Sequence, residues 1–256
     1  MKLGLWADKT EISIKSSNIL TEKYDLIDIN NYAKDDLDAI IILGGDGFML
    51  HSMHNITKFK APLYGMNCGT IGFLLNEFNA EDLLNKIRNA KEAHISPLNV
   101  KVTDNNNNTH SVKAYNEVSL LRETRQSTNI EVKINAKTKI NHLVGDGILV
   151  ATPAGSSAYN FSVKGPIIPL CSDLLALTPI SPFRPRQWRG ALLPGNTIVD
   201  FIIHDAIKRP VSCVVDYFEF RDISAVNIQK SKEESRTLLF DSKNPLQDKL
   251  ITEQFL

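Results

Sequence analysis

The sequence predicts an α/β nucleotide domain with a mostly parallel sheet, followed by a β-rich domain. Three observations predict it. Strand-like and helix-like segments alternate through the first ninety-odd residues; from about Ser96 polar and apolar residues alternate along successive segments; and two apolar strands end in turns dense in glycine or hydroxyl residues.

In the first part, KLGLWA (2–7), YDLIDI (24–29) and DAIIILG (38–44) read as strands, the third apolar enough to be covered on both faces. A helix is expected over Phe48 to Ile56, a fourth strand over PLYGMN (62–67), and a helix over Ala80 to Ala93, where Leu83, Leu84 and Ile87 share a face. This is a βαβ rhythm, whose crossovers build parallel sheets. After Ser96, PLNVKVTD, the turn-forming tract Asn105 to Asn108 and SVKAYNEVSLL read as hairpin strands. NIEVKI, TIVDFII and VSCVVDYFEF continue the alternation. The predicted domains are therefore residues 1–95 and 96–235. Residues 236–256 are expected to return to the first domain, with a short helix over Asn244 to Leu256.

The chain has 256 residues, 43% hydrophobic and 23% charged, the balance of a globular protein. Lys plus Arg and Asp plus Glu both number 29, so no global field favours nucleic acid, and an anionic ligand must be held by local geometry. MKLGLWADKT turns polar too early for a secretory signal, and no apolar run approaches membrane-spanning length. Cys68, Cys171 and Cys213 are widely spaced without a CxxC, so buried thiols, no structural metal site and a cytoplasmic location are expected.

Three motifs carry chemistry. In IIILGGDGFML (40–50), a strand runs through Gly44-Gly45-Asp46-Gly47 into a helix, whose free N–H groups and dipole favour a phosphate. The spacing fits neither GxxxxGK[ST] nor GxGxxG, and a tight turn with Asp46 capping the helix is an equal reading. A carboxylate beside a phosphate repels it unless a cation intervenes, so Asp46 predicts a divalent ion, Mg²⁺ by preference. Its other possible role is to accept the proton of an attacking hydroxyl, where orientation counts for more than basicity. Asn116-Glu117 follows a strand and offers an amide for a base edge and a carboxylate for vicinal ribose hydroxyls. In GDGILVATPAGSSAYNFS (145–162), a strand ends among hydroxyls and free N–H groups, with a helix expected from about Ser157 through Tyr159. It is no GxSxG elbow.

Taken in order and approximate spacing, Gly44-Gly45-Asp46-Gly47, the GMNCGTIGFL block (65–74), Asn116-Glu117, Gly145-Asp146-Gly147 and TPAGSSAY (152–159) resemble the bacterial NAD kinase family over nearly the whole chain. The resemblance implies a two-domain phosphotransferase, its second domain sandwich-like, that phosphorylates the adenosine ribose 2′-hydroxyl of NAD with ATP or polyphosphate. It implies Mg²⁺ or another divalent cation and assembly as a homodimer or homotetramer. By position, Asp46 takes the role of proton acceptor, and Gly45 and Gly47 contact the ligand through their backbone. His51 stands where a phosphate contact is found, although a helix-surface histidine is the plainer reading. Asn116 and Glu117 match the adenosine-holding pair, and Asp146 a carboxylate near the nicotinamide half. Ser157, Ala158, Tyr159, Asn160 and Ser162 match the dinucleotide-lining segment, with Ser181 a further lining position.

The chain also departs from the family pattern. Ala154 and Ser157 stand where Thr is usual, Asp216-Tyr217-Phe218 replaces Asp-Gly-Gln, and residues 182–189 form an Arg-rich loop suited to a phosphate, a neighbouring subunit or solvent. Two other activities share some of these features. A lipid kinase would share only GGDG, and a non-catalytic dinucleotide sensor would have no use for Asp46.

Overall fold

A computed structural model describes residues 1–69 and 72–242; the helix expected over Asn244 to Leu256 lies outside the described residues. The chain forms two compact units, Met1–Ile95 with Ser235–Leu256, and Ser96–Glu234.

The first unit is built on a sheet ordered Leu26–Asp28, Leu3–Ala7, Ala39–Gly44, Leu63–Asn67, Arg236–Phe240, Lys91–Ile95, with Asn76–Glu77 also paired to Leu63–Asn67. All pairings are parallel except that of Arg236–Phe240 with Lys91–Ile95. Among the described residues three α-helices accompany it: α1 (Glu11–Lys23), α2 (Asp46–Asn55) and α3 (Leu83–Arg88). Every residue of Ala39–Gly44 is buried, as its apolar run predicts for a central parallel strand. The strand order reverses between Leu3–Ala7 and Ala39–Gly44, and α2 starts at the carboxyl end of the latter. In open α/β sheets ligands settle at such switch points. Gly65 lets α2 lie close, since a Cβ there would stand 2.4 Å from Met49 Cε and 2.3 Å from Leu75 Cδ2.

Two stretches differ from expectation. Helix α1 was not legible because it buries Ser13, Ser16 and Leu20 while exposing Ile12, Ile14 and Ile19. The helix expected over Ala80 to Ala93 is confined to Leu83–Arg88, because Lys91–Ile95 pairs with Arg236–Phe240 from the far end of the chain.

The second unit is a sandwich of two antiparallel six-stranded sheets. One is ordered Lys137–Gly145, Thr128–Ile134, Ile198–Ile203, Ile223–Lys230, Leu98–Asp104, Thr109–Ala114. The other is ordered Ala191–Pro194, Leu174–Ile180, Gly147–Ala151, Glu117–Arg122, Val211–Val215, Phe218–Phe220. Val102, Ile130, Phe201 and Val226 of the first meet Val118, Leu120, Val150 and Val215 of the second in one buried core. The predicted helix from Ser157 is broken into a 3₁₀ turn, Ala154–Ser157, and a short α4 (Tyr159–Ser162), because Ala158 between them leaves helical geometry at ψ −125°. Cys68 and Cys213 are buried and Cys171 is exposed, all three as free thiols. Among the described residues no helix is long and apolar enough to cross a membrane.

Candidate active site

In the first unit the glycine loop leaves Ala39–Gly44 and enters α2 with Gly45 as N-cap in extended geometry, and no side chain caps the helix. Asp46 is therefore the first helical residue and not the cap of its own helix. Its carboxylate is turned to the opposite loop, where Phe73 N–H donates to Oδ2 at 2.8 Å and Leu74 N–H to Oδ1 at 2.9 Å. Two amides fix the plane of the carboxylate. A Cβ on Gly45 or Gly47 would meet no described residue within 4 Å, so packing among the described residues does not explain the missing side chains, and the helix start is open among them. Such an opening suits a phosphate approaching backbone amides. His51 is exposed one turn on, its ring 5.7 Å from Trp6 and 6.1 Å from Phe48.

In the second unit, Asn116 and Glu117 lie where Thr109–Ala114 gives way to Glu117–Arg122. Among the described residues, Asn116 Oδ1 and Glu117 Oε2 are buried atoms without a hydrogen-bond partner, a costly state that a ligand would relieve. Burial, and then the neighbouring Asp216 charge, push the Glu117 carboxyl up to about 8. Asp216 builds this corner. Its carboxylate accepts from the N–H groups of Tyr115 at 2.8 Å, Asn116 at 3.0 Å and Glu117 at 3.2 Å.

The turn after Gly147–Ala151 is stitched to the same corner. Thr152 N–H donates to Asn116 O at 2.9 Å and its hydroxyl to Tyr115 O at 2.6 Å, while Gly155 N–H donates to the Thr152 hydroxyl at 3.1 Å. Only glycine fits at 155, where a Cβ would stand 2.2 Å from Asn116 O. Ser157, Ala158 and Tyr159 follow, half-buried. Burial, and then the Glu117 and Asp146 charges, push the Tyr159 phenol above its usual value. Asp146 is held by Arg122, Nε to Oδ1 2.6 Å, and Arg122 Nη1 also donates to Thr124 O at 2.7 Å.

The geometry thus brings Asn116 and Glu117 together with the turn through Gly155, while strand register sets Asp146 opposite Arg122, at the other end of the pairing between Glu117–Arg122 and Gly147–Ala151. The Asn160 side chain instead holds the turn together: buried, it donates to Ser156 O and Pro166 O and accepts from the Thr178 hydroxyl. Ser162 and Ser181 are exposed and line a separate cavity of about 710 Å³ in the same unit. Sequence reasoning missed Asp216, Arg122 and the Phe73-Leu74 amides. A signal for Asp216 existed: Phe218 stands where the family has glutamine, and the aspartate two positions earlier, left-handed at φ 54°, is the residue the corner uses.

Residues 7–95 match the ATP-NAD kinase N-terminal domain and residues 115–240 the ATP-NAD kinase C-terminal domain. An NAD kinase of Xanthomonas campestris pv. campestris is 43% identical over 256 residues, 99% of this chain and 97% of the relative. One of Caulobacter vibrioides is 49% identical over 221 residues, 86% of this chain and 85% of the relative. Among solved structures, yeast NADH kinase complexed with NADH superposes at TM-score 0.79 and 21% identity, covering 100% of this chain and 87% of that one. An NAD kinase from Archaeoglobus fulgidus in complex with ATP superposes at 0.72 and 22% identity, covering 95% of each chain. At those identities the two structures speak for the fold.

Proposed function

The chain belongs to the ATP-NAD kinase family over both of its domains, and from that premise we propose that it phosphorylates the adenosine ribose 2′-hydroxyl of NAD with ATP or polyphosphate to give NADP. The observation that carries the mechanism is the Asp46 carboxylate, clamped by two backbone amides at the carboxyl end of a central strand, beside an uncapped glycine-lined helix start. The ribose oxygen attacks the terminal phosphorus of the donor, the bond from that phosphorus to its bridging oxygen breaks, and the hydroxyl proton passes to Asp46. The clamp contributes orientation, the main demand of a loose phosphoryl-transfer transition state.

Asn116 Oδ1 accepts from the adenine amino group, and the buried Glu117 carboxyl takes the ribose hydroxyls; their unpaired atoms support this assignment. Tyr159 packs on a ring of the dinucleotide, Asp146 faces its nicotinamide half, and Ser157, Ala158, Asn160, Ser162 and Ser181 line it, Asn160 through its backbone. Gly45 and Gly47 approach the donor phosphates, with His51 as a further contact. Among the described residues no cluster of three His, Cys, Asp or Glu can hold a metal. A divalent cation, Mg²⁺ in this reading, would be held by the donor phosphates and the Asp46 carboxylate and would neutralise the phosphate charge. The protein works in the cytoplasm as a homodimer or homotetramer.

The test is direct. Purified protein with NAD, Mg²⁺ and either ATP or polyphosphate should generate NADP, measured with an NADP-specific dehydrogenase. NAD binding without NADP from either donor would instead favour a sensor, and phosphorylation of diacylglycerol but not NAD a lipid kinase.

A further inference from the structure

In the first unit, helix α1 turns small polar side chains toward the sheet. Ser13, Ser16 and Leu20 are buried and Ser17 is half-buried, while Ile12, Ile14 and Ile19 are exposed. A helix that covers a sheet ordinarily buries its large apolar residues. The reversal leaves space. A groove of about 300 Å³ lies between α1 and the edge strand Leu26–Asp28, with Leu5, Ala7 and Leu26 lining it beside Ser17, Thr21, Asp28 and Asn30. Apolar surface with a few placed polar groups is the make-up of a small-molecule site.

The polar groups are suited to a nucleoside. Asp28 ends its strand about twenty residues on from the first βα turn, the place where doubly wound nucleotide folds put the carboxylate that takes ribose hydroxyls. Its Oδ1 accepts from Asn30 N–H at 2.9 Å and Asn30 Nδ2 at 2.8 Å, and its Oδ2 from Asn31 Nδ2 at 3.0 Å. Three donors hold the carboxylate in place, and Oδ2 keeps room for another. Among the described residues the Ser17 hydroxyl and the Asn30 carbonyl oxygen have no hydrogen bond, which leaves a donor and an acceptor for the edge of a base. The groove is also in line with the glycine loop. Ala7 pairs with Leu43, and Asp8 N–H donates to Leu43 O at 2.8 Å, so the end of Leu3–Ala7 stands one strand away from the turn at Gly45. That interval is about 5 Å across the sheet and about 7 Å along it, a span that three linked phosphates cover. Lys9, next in the chain after Asp8, has no side-chain partner among the described residues.

We infer that this groove holds the nucleoside of a nucleoside triphosphate donor, with ribose hydroxyls on Asp28, the base against Leu5, Ala7 and Leu26, and the phosphates running past Lys9 to Gly45 and Gly47. The inference rests on the reading in which the glycine loop takes the phosphoryl donor. It goes further by separating the two donors: ATP fills the groove, and polyphosphate has nothing to place in it.

The test uses analogues of ATP and of tripolyphosphate with both bridging oxygens replaced by methylene, which differ by the nucleoside alone and cannot pass on a phosphoryl group. Each is titrated calorimetrically into the full chain with Mg²⁺ and with NAD at saturation, so that the acceptor site is already filled. The ATP analogue should bind about tenfold or more tightly than its nucleoside-free counterpart, the scale of hydrogen bonds to a charged group. Ser17→Leu puts a side chain into the groove and should cancel that advantage while leaving the affinity of the tripolyphosphate analogue unchanged. Leucine suits a helix better than serine and covers apolar surface there, so the thermal midpoint should hold or rise. Asp28→Asn keeps the shape of the residue and should weaken the ATP analogue alone, by about tenfold or more. Equal affinities in the unsubstituted protein, no binding of the ATP analogue, or an advantage that survives both substitutions overturns the inference. So does a substitution that weakens both analogues alike. NADP formation from ATP is read separately. A protein that makes NADP while the nucleoside adds no affinity loses this site and keeps its function; one that shows the advantage but makes no NADP does the reverse.

Discussion

Glu117 carries an unusual burden for one carboxyl. Its buried oxygen lacks a partner, and burial with Asp216 raises its pKa to about 8, so at neutral pH most free protein holds it protonated. Ribose hydroxyls donate best to the ionised form. NAD binding near pH 7 should therefore release a proton, visible in calorimetry as a heat that varies with the ionisation enthalpy of the buffer, and Glu117→Gln should abolish that variation. The sign for stability follows from the same shift. The folded pKa lies above the ordinary carboxyl value of 4.5, so the group's contribution is full below about 4.5 and is lost as pH rises through about 8. Asp216→Asn keeps a residue type that tolerates left-handed backbone but removes the charge. The expected outcome is a lower Glu117 pKa, with the pH profile of NAD binding displaced to acid, and weaker NAD binding as the three amide contacts soften. An unmoved profile would deny Asp216 its electrostatic role. These roles were only half legible. Asn116-Glu117 could be read from residue chemistry, but the carboxylate that organises the pair is a hundred residues away, joined by a contact that local pattern does not encode.

Among the elements, the turn after Gly147–Ala151 is the most demanding. Gly155→Ala would drive a Cβ into Asn116 O, so the turn or the Asn116 strand must move. A loss of about 1–3 kcal/mol is expected in denaturant unfolding, the usual cost of overpacking, together with weakened NAD binding. Full stability with intact binding would show that the turn and Asn116 are not coupled. Elements with ordinary patterning were read closely: Ala39–Gly44 and Leu63–Asn67 stand within a residue or two of DAIIILG and PLYGMN. Elements with inverted or nonlocal determinants were not. Helix α1 turns serines inward, with Thr10 capping it through Ser13 N–H, so no apolar stripe announces it. Lys91–Ile95 is a strand because Arg236–Phe240 lies beside it, and in isolation its sequence continues a helix. Ala158 breaks the helix expected from Ser157 through a backbone angle that its side chain does not reveal.

For the molecule as a whole, the first unit is completed by the far end of the chain. Arg236–Phe240 fills the sheet between Leu63–Asn67 and Lys91–Ile95. Beyond it, Asp241 accepts from the Tyr64 hydroxyl at 2.6 Å. Buried Asn76 locks the junction, donating to Gly65 O and Leu239 O and accepting from Asp241 N–H. A chain ending at Glu234 should lose the cooperative unfolding of the first unit and expose two strand edges. Asn76→Ala in the full chain should cost about 1–3 kcal/mol in denaturant unfolding by leaving those carbonyls unpaired. A truncated protein with an unchanged melting profile would show that the first ninety-five residues fold without their last strand. The unit that carries Asp46 thus depends on both ends of the sequence. The most direct measurement of the central claim is the steady-state rate of NADP formation by Asp46→Asn, beside its NAD affinity. The substitution leaves one oxygen for the Phe73 and Leu74 amides and removes the proton acceptor, so turnover should fall by about 10²-fold or more with NAD binding retained. A variant that makes NADP at close to the normal rate would contradict the assignment of Asp46 as the base.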